Sequence, residues 1–243
     1  MQAQHRPRVL LIGDSITQQS FSTEHCGFGA ALSDWLCRTA DVINRGFSGY
    51  NTRWMRWILP RLLPLEGQSE GGERTVLVTI FLGANDAVLP GETQHVPLAE
   101  YEENLEFLFS HVRRFAPTAN IVLITPPTVD TELWPTRSPA AAAEYAAIVR
   151  SVARRREEQG LALLDLADLA THDLRDGLHL NASGNKKVFE KLQSLLMEKF
   201  PTICPKVEAE DAGLPLHFPP SHSFAGKSEE ELKRLLTSDW GWG

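Results

Sequence analysis

The chain has 243 residues, 42% of them hydrophobic and 23% charged, a balance that suits one domain with a full core and excludes a disordered or membrane-embedded class. Its formal net charge of -7 argues against nucleic acid or an anionic membrane as the main partner. No apolar run approaches the ~18 residues of a spanning helix, so no membrane span is expected.

The first predicted element is a strand at 9–12, Val-Leu-Leu-Ile. It gives way to Gly13-Asp14-Ser15 too soon for a signal-peptide core of ~7–15 residues, which makes the cytosol the expected location. Phe28, Leu32, Trp35 and Leu36 then share one helical stripe. A second strand centres on Val42 and Ile43, and Trp54 and Trp57 after it are expected to pack between a helix and the sheet. Residues 66–73 read as an exposed acidic turn before a third strand at 75–82.

Leu98, Tyr101, Leu105, Leu108, Val112 and Phe115 alternate steps of three and four, the mark of an amphipathic helix. A fourth strand follows at 120–125. Ser138 then caps a helix with Pro139 in its first position and Gly160 at its end. A fifth strand at 161–166 precedes a helix carrying Val188, Phe189, Leu192, Leu195 and Leu196. Strands alternating with helices, each strand too apolar for a wet face, predict a three-layer α/β/α sandwich around a five-stranded parallel sheet. Residues 1–200 form the expected domain, and 201–243, rich in Pro and polar residues, an extension packing on it. In that extension Ser228 and Glu231 make a capping box for a short helix through Leu232, Leu235 and Leu236.

Cys26, Cys37 and Cys204 show no regular spacing and are expected as free thiols. No HExxH or CxxC occurs, and His217 and His222 have no carboxylate or Cys at ligand spacing, so neither a metal nor another cofactor is expected. Lys186, Lys187 and Arg154, Arg155, Arg156 read as solvated helix faces.

Ligands in open parallel sheets bind beyond the carboxyl ends of the strands, so the polar residues that follow each strand matter most. Gly13-Asp14-Ser15 follows the first and Asn44 to Thr52 the second. Gly83-Ala84-Asn85-Asp86 follows the third, and Asp176-Gly177-Leu178-His179 comes after the fifth. Acyl transfer needs a hydroxyl, a base, a group that orients the base, and donors for an oxyanion. Ser15 supplies the hydroxyl and His179 the base, with Asp176 within reach of the second imidazole nitrogen. The Ser15 and Gly49 N–H groups and the Asn85 amide are candidate donors. The plain alternatives are that Ser15 is only a helix cap, that Gly49 is a turn glycine with Gly46 as its competitor, and that Asp86 is structural.

The blocks IGDSIT, NRGFSGYNT, FLGANDA and DGLHLNASGN resemble, in order and spacing, the four signature blocks of the SGNH (GDSL-type) hydrolase superfamily. The resemblance spans roughly residues 8–200, and NRGFSGYNTRW with FLGAND looks most like the isoamyl acetate-hydrolysing esterase branch. Ile16 stands where many members have Leu. The resemblance implies a flavodoxin-like SGNH hydrolase fold, Ser15, Asp176 and His179 as triad, and Ser15, Gly49 and Asn85 as oxyanion hole. It favours Gly49 over Gly46, because Gly49 precedes the Tyr-Asn-Thr helix entry. It further implies a metal-independent esterase for short acyl esters of small molecules, a homodimer being compatible with it. A thioesterase, lysophospholipase or carbohydrate deacetylase would use the same triad. A phosphate-binding flavodoxin-like module would need a Gly-rich nest or a Lys that Gly13-Asp14-Ser15-Ile16 lacks.

Overall fold

The computed structural model describes residues 6–65, 75–205, 226–231 and 234. The expected acidic turn at 66–73 lies outside the described residues, as do His217, His222, Leu232, Leu235 and Leu236. Five strands form one parallel sheet: β1 (Arg8–Gly13), β2 (Asp41–Gly46), β3 (Thr75–Phe81), β4 (Asn120–Ile124) and β5 (Leu161–Leu164). Their order is β2-β1-β3-β4-β5. The helices that matter below are α1 (Ser15–Gln18), α2 (Phe28–Trp35), α3 (Thr52–Leu65), α4 (Leu98–Phe115), α5 (Pro139–Arg156) and α6 (Ala182–Lys199).

Strand side chains alternate between two faces, and here both faces are apolar because both are covered. Leu10 and Ile12 of β1, Val78 and Ile80 of β3, and Ile121 and Leu123 of β4 face one core, which α3, α4 and α5 close. Val9, Leu11, Leu77, Phe81, Val122 and Ile124 face the other, closed by α2 and α6. Each fully buried Leu or Ile contributes roughly 1.5–3 kcal/mol, so the two stripes of β1 alone anchor the sheet firmly. The predicted stripe of α4 lies where expected: Tyr101, Leu105, Leu108 and Val112 are buried, while Leu98 and Phe115 pack at its ends.

Local signals act as expected at α5. The Ser138 hydroxyl accepts from the Ala141 N–H at 3.1 Å, Pro139 occupies the first turn, and a short 3-10 turn ends at Gly160. The Ser228–Glu231 capping box also forms, with Glu231 Oε2 accepting from the Ser228 N–H at 2.7 Å and Ser228 Oγ from the Glu231 N–H at 3.3 Å. Packing in the second core continues past residue 200, through buried Ile203 and Cys204.

Two expectations need correction. Trp57 is 64% exposed, on the outer side of α3, and only Trp54 is partly covered, edge-on to Tyr50. The basic faces are not simply solvated. Arg155 bonds Glu102 and Glu106 of α4, Arg156 bonds Glu106, and Lys187 holds the buried Asp173 at 2.7 Å. Helix packing brings these acids opposite the basic runs, which a view of one helix at a time does not reveal.

Candidate active site

The chain runs from β1 outward to β2, then returns across β1 to β3. Such a reversal leaves a crevice at the carboxyl ends of the two inner strands. Ser15 stands immediately after β1 and Asn85 shortly after β3, so the two flank that crevice.

Ser15 occupies the first position of α1 and is 6% exposed. The helix cap is Asp14, whose Oδ1 accepts from the Ile16 N–H at 2.9 Å. This corrects the plain reading of Ser15 as a cap: with Asp14 in that role, the Ser15 hydroxyl is left for another partner. That partner is His179, whose Nε2 lies 2.9 Å from Ser15 Oγ. On the other side of the ring, Nδ1 lies 2.8 Å from Asp176 Oδ2.

Asp176 also accepts from two backbone N–H groups through Oδ1, His179 at 2.8 Å and Leu178 at 3.1 Å. Partial burial pushes its carboxyl upward. Bonds from the His179 N–H and ring and from the Leu178 N–H outweigh this and hold it below the usual carboxylate range. An ionised carboxylate only accepts, so the ring proton sits on Nδ1 and the Nε2 lone pair faces the serine. The turn carrying both residues is fastened from the segment after β4. Trp134 Nε1 donates to the Asp176 carbonyl at 2.9 Å, and the Asp130 N–H to the Gly177 carbonyl at 2.8 Å.

Gly49 and Gly46 differ in what they require. Gly49 has φ +79°, a left-handed conformation costly for other residues, and a side chain there would meet only Gln94 at 3.5 Å. Its N–H has no partner among the described residues. Gly46 ends β2 against α1, and a Cβ there would lie 2.0 Å from the Gln18 backbone nitrogen. It is therefore a packing glycine. The Asn85 amide donates to the Tyr50 carbonyl at 2.8 Å, which leaves one Nδ2 hydrogen uncommitted among the described residues.

Behind these groups lies a buried polar layer. Asp86 accepts from the Thr52 N–H at 2.9 Å and the Thr52 hydroxyl at 2.5 Å, holding the start of α3. It is structural, as anticipated, but serves another helix. Burial raises the Asp14 and Asp86 carboxyls to about 7, and for Asp14 the charge of Asp86 adds to the effect. Arg137, 5% exposed, donates to the Ala84 carbonyl and to Asn85 Oδ1. Sequence reasoning missed Arg137, Trp134 and Gln94; nothing in Thr136-Arg137 ahead of the capping Ser138 marks an arginine as buried. Among the described residues no group of three or more His, Cys, Asp or Glu gathers as a metal site would require. No described helix is long and apolar enough to cross a membrane.

Comparison with known proteins shows the family and the fold. Residues 11–187 match the model of the GDSL-like Lipase/Acylhydrolase family. The chain is 44% identical to the isoamyl acetate-hydrolyzing esterase 1 homolog of Mus musculus, over 79% of this chain and 82% of that protein. It is 40% identical to a GDSL esterase/lipase of Arabidopsis thaliana, over 80% of this chain and 87% of the other. Among solved structures, a lipase/acylhydrolase from Enterococcus faecalis shares the fold with TM-score 0.61 at 24% identity, covering 79% of this chain and 96% of that one. An acetylxylan esterase from Geobacillus stearothermophilus does so with TM-score 0.60 at 22% identity, over 82% and 97%. The chain belongs to the GDSL-like lipase/acylhydrolase family and is an ester-bond hydrolase.

Proposed function

We propose that the chain is a serine carboxylic-ester hydrolase for small, short-chain acyl esters of the acetate type, working through an acyl-enzyme. The observation that carries this reading is the unbroken hydrogen-bonded series Ser15 Oγ, His179 Nε2, His179 Nδ1, Asp176 Oδ2 at the mouth of the crevice. In it Ser15 Oγ attacks the ester carbonyl carbon while its proton passes to His179 Nε2. The imidazolium that forms is stabilised by ionised Asp176. The carbonyl oxygen becomes an oxyanion facing the Ser15 N–H, the Gly49 N–H and the free hydrogen of Asn85 Nδ2.

Collapse of that intermediate breaks the bond to the alcohol, which leaves with the proton held by His179. Water then repeats the sequence on the acyl-serine and releases the acid. The name of the Mus musculus relative, an isoamyl acetate-hydrolyzing esterase homolog, supports acetates as the starting substrate class.

The test is hydrolysis of p-nitrophenyl acetate, butyrate and octanoate, with and without a serine-reactive phosphonate. The expected result is turnover that declines with acyl length and is abolished by a phosphonate bound to Ser15. Activity that survives the phosphonate would overturn the mechanism. A preference for octanoate would overturn the short-chain assignment alone.

A further inference from the structure

Arg137 is buried without an ion pair among the described residues; its guanidinium meets carbonyl and amide oxygens and the ring of Trp134, 5.5 Å away. Its Nε finds no acceptor among the described residues. Burial works against its charge and the nearby Asp14 and Asp86 carboxyls favour it, yet the hydrogen bonds that Arg137 makes all fall on neutral oxygens. What the guanidinium touches supplies the explanation.

Nη2 donates to Asn85 Oδ1 at 2.9 Å, and at a longer 3.4 Å to Gln94 Oε1. Gln94 in turn donates from Nε2 to the Gly49 carbonyl at 2.7 Å, and its main-chain carbonyl accepts from Asn51 Nδ2 at 2.8 Å. Asn85 donates from Nδ2 to the Tyr50 carbonyl at 2.8 Å. A closed ring results: Arg137 to Asn85 to the Gly49-Tyr50 turn, and back through Gln94 to Arg137.

A guanidinium donates and never accepts. Both amides must therefore turn their oxygens to Arg137 and their NH2 groups away from it. For Asn85 that is the orientation in which Nδ2 can serve an oxyanion; flipped by 180°, the amide would offer an acceptor and repel one. A charged donor on the amide oxygen also polarises the opposite N–H bonds, strengthening them as donors in a water-poor site.

We propose that Arg137 is the positioning residue of the oxyanion hole, fixing the Asn85 amide directly and the Gly49 turn through Gln94. It touches no reacting atom. The inference rests on Asn85 and Gly49 being oxyanion donors, as proposed above.

The experiment measures kcat and KM for p-nitrophenyl acetate in the wild type, Arg137→Ala, Asn85→Ala and the double variant, with a thermal melt of each. Arg137→Ala should lower kcat about 10- to 100-fold with KM within about threefold. The loss in the double variant should be clearly smaller than the product of the two single losses, because part of what Arg137 does passes through that amide and only its arm through Gln94 remains to be lost. Millimolar guanidinium ion should restore part of the Arg137→Ala rate by refilling the cavity.

Should Arg137→Ala not fold, Arg137→Lys carries the test. It keeps the charge but not the fork that holds Ala84, Asn85 and Gln94 together, so kcat should fall between wild type and Asn85→Ala. A folded Arg137 variant with wild-type kcat, or losses that multiply in the double variant, would overturn the proposal. So would failure of both variants to fold, which would make Arg137 a residue of the fold alone. Wild-type kcat in Asn85→Ala would instead overturn the oxyanion reading from which the proposal starts.

Discussion

Ser15 and His179 are 164 positions apart, and their Oγ and Nε2 atoms meet at 2.9 Å. Neither residue needs the other to hold its backbone: Asp14 caps α1, and Asp176 and Trp134 fasten the turn of His179. The contact is thus assembled by two independently braced segments, an arrangement expected of a reactive pair. Ser15→Ala and His179→Ala should each lower kcat/KM on the order of 10⁴-fold with melting temperature little changed. The double variant should be no worse than either single one, since each group works only with the other. Steady-state kinetics on p-nitrophenyl acetate decide it; a Ser15→Ala protein within about tenfold of wild type refutes the pairing.

In the proposed mechanism the Asn85 amide acts on charge that exists mainly in the transition state, so Asn85→Ala should lower kcat by roughly 10²–10³-fold and leave KM nearly unchanged. A raised KM at constant kcat would make Asn85 a binder of the ground-state ester instead.

The two glycines after β2 should fail differently. Gly46→Ala drives a Cβ to 2.0 Å from the backbone of α1, so it should displace the helix that carries Ser15 and cost several degrees of melting temperature. Gly49→Ala has room, with only Gln94 at 3.5 Å, and suffers about 1–2 kcal/mol of left-handed backbone strain. It should fold and lose turnover. Equal melting temperatures for the two variants would contradict the packing role of Gly46.

How much of this was legible in the sequence depended on whether the signal was local. β1, β3, β4 and β5 announced themselves as apolar runs because both of their faces are buried. β2 was faint, since as an edge strand it carries Asp41, Asn44 and Arg45 and is only half covered. α3 was obscured by Pro60 and Pro64 inside it, which sequence rules treat as helix breakers. The four polar blocks after the strands marked Ser15, Gly49, Asn85, Asp176 and His179, and strand order alone brings them to one edge. Arg137 and Gln94 were invisible because their significance lies in the amide oxygen that each meets across the fold. The cap at this turn, by contrast, was legible as a plain alternative for Ser15 but not as Asp14: Asp and Ser are equally good caps, and only the backbone decides between them.

The last expectation concerns Asp14 and Asp86, buried behind the crevice with carboxyls raised to about 7, chiefly by burial. In the unfolded chain both ionise near pH 4. Between about 4 and 7 these two carboxyls therefore hold protons in the folded protein that the unfolded chain has released, and their contribution to stability falls as pH rises through that window. Above it both are ionised in both states, and their destabilising contribution is complete. Carboxyls with lowered values, such as Asp173 and Asp176, act oppositely, but their contribution is lost only below about pH 4 and is constant in this window. Asp86→Asn keeps an Oδ1 acceptor for Thr52 and removes the charge. Relative to wild type, its melting temperature should rise steadily from pH 5 to pH 8, by an amount on the order of a few kcal/mol in stability. Melts at pH 5, 6.5 and 8 give the answer: a difference independent of pH would mean that Asp86 is ionised in the fold throughout, with Thr52 and nearby positive charge compensating its burial.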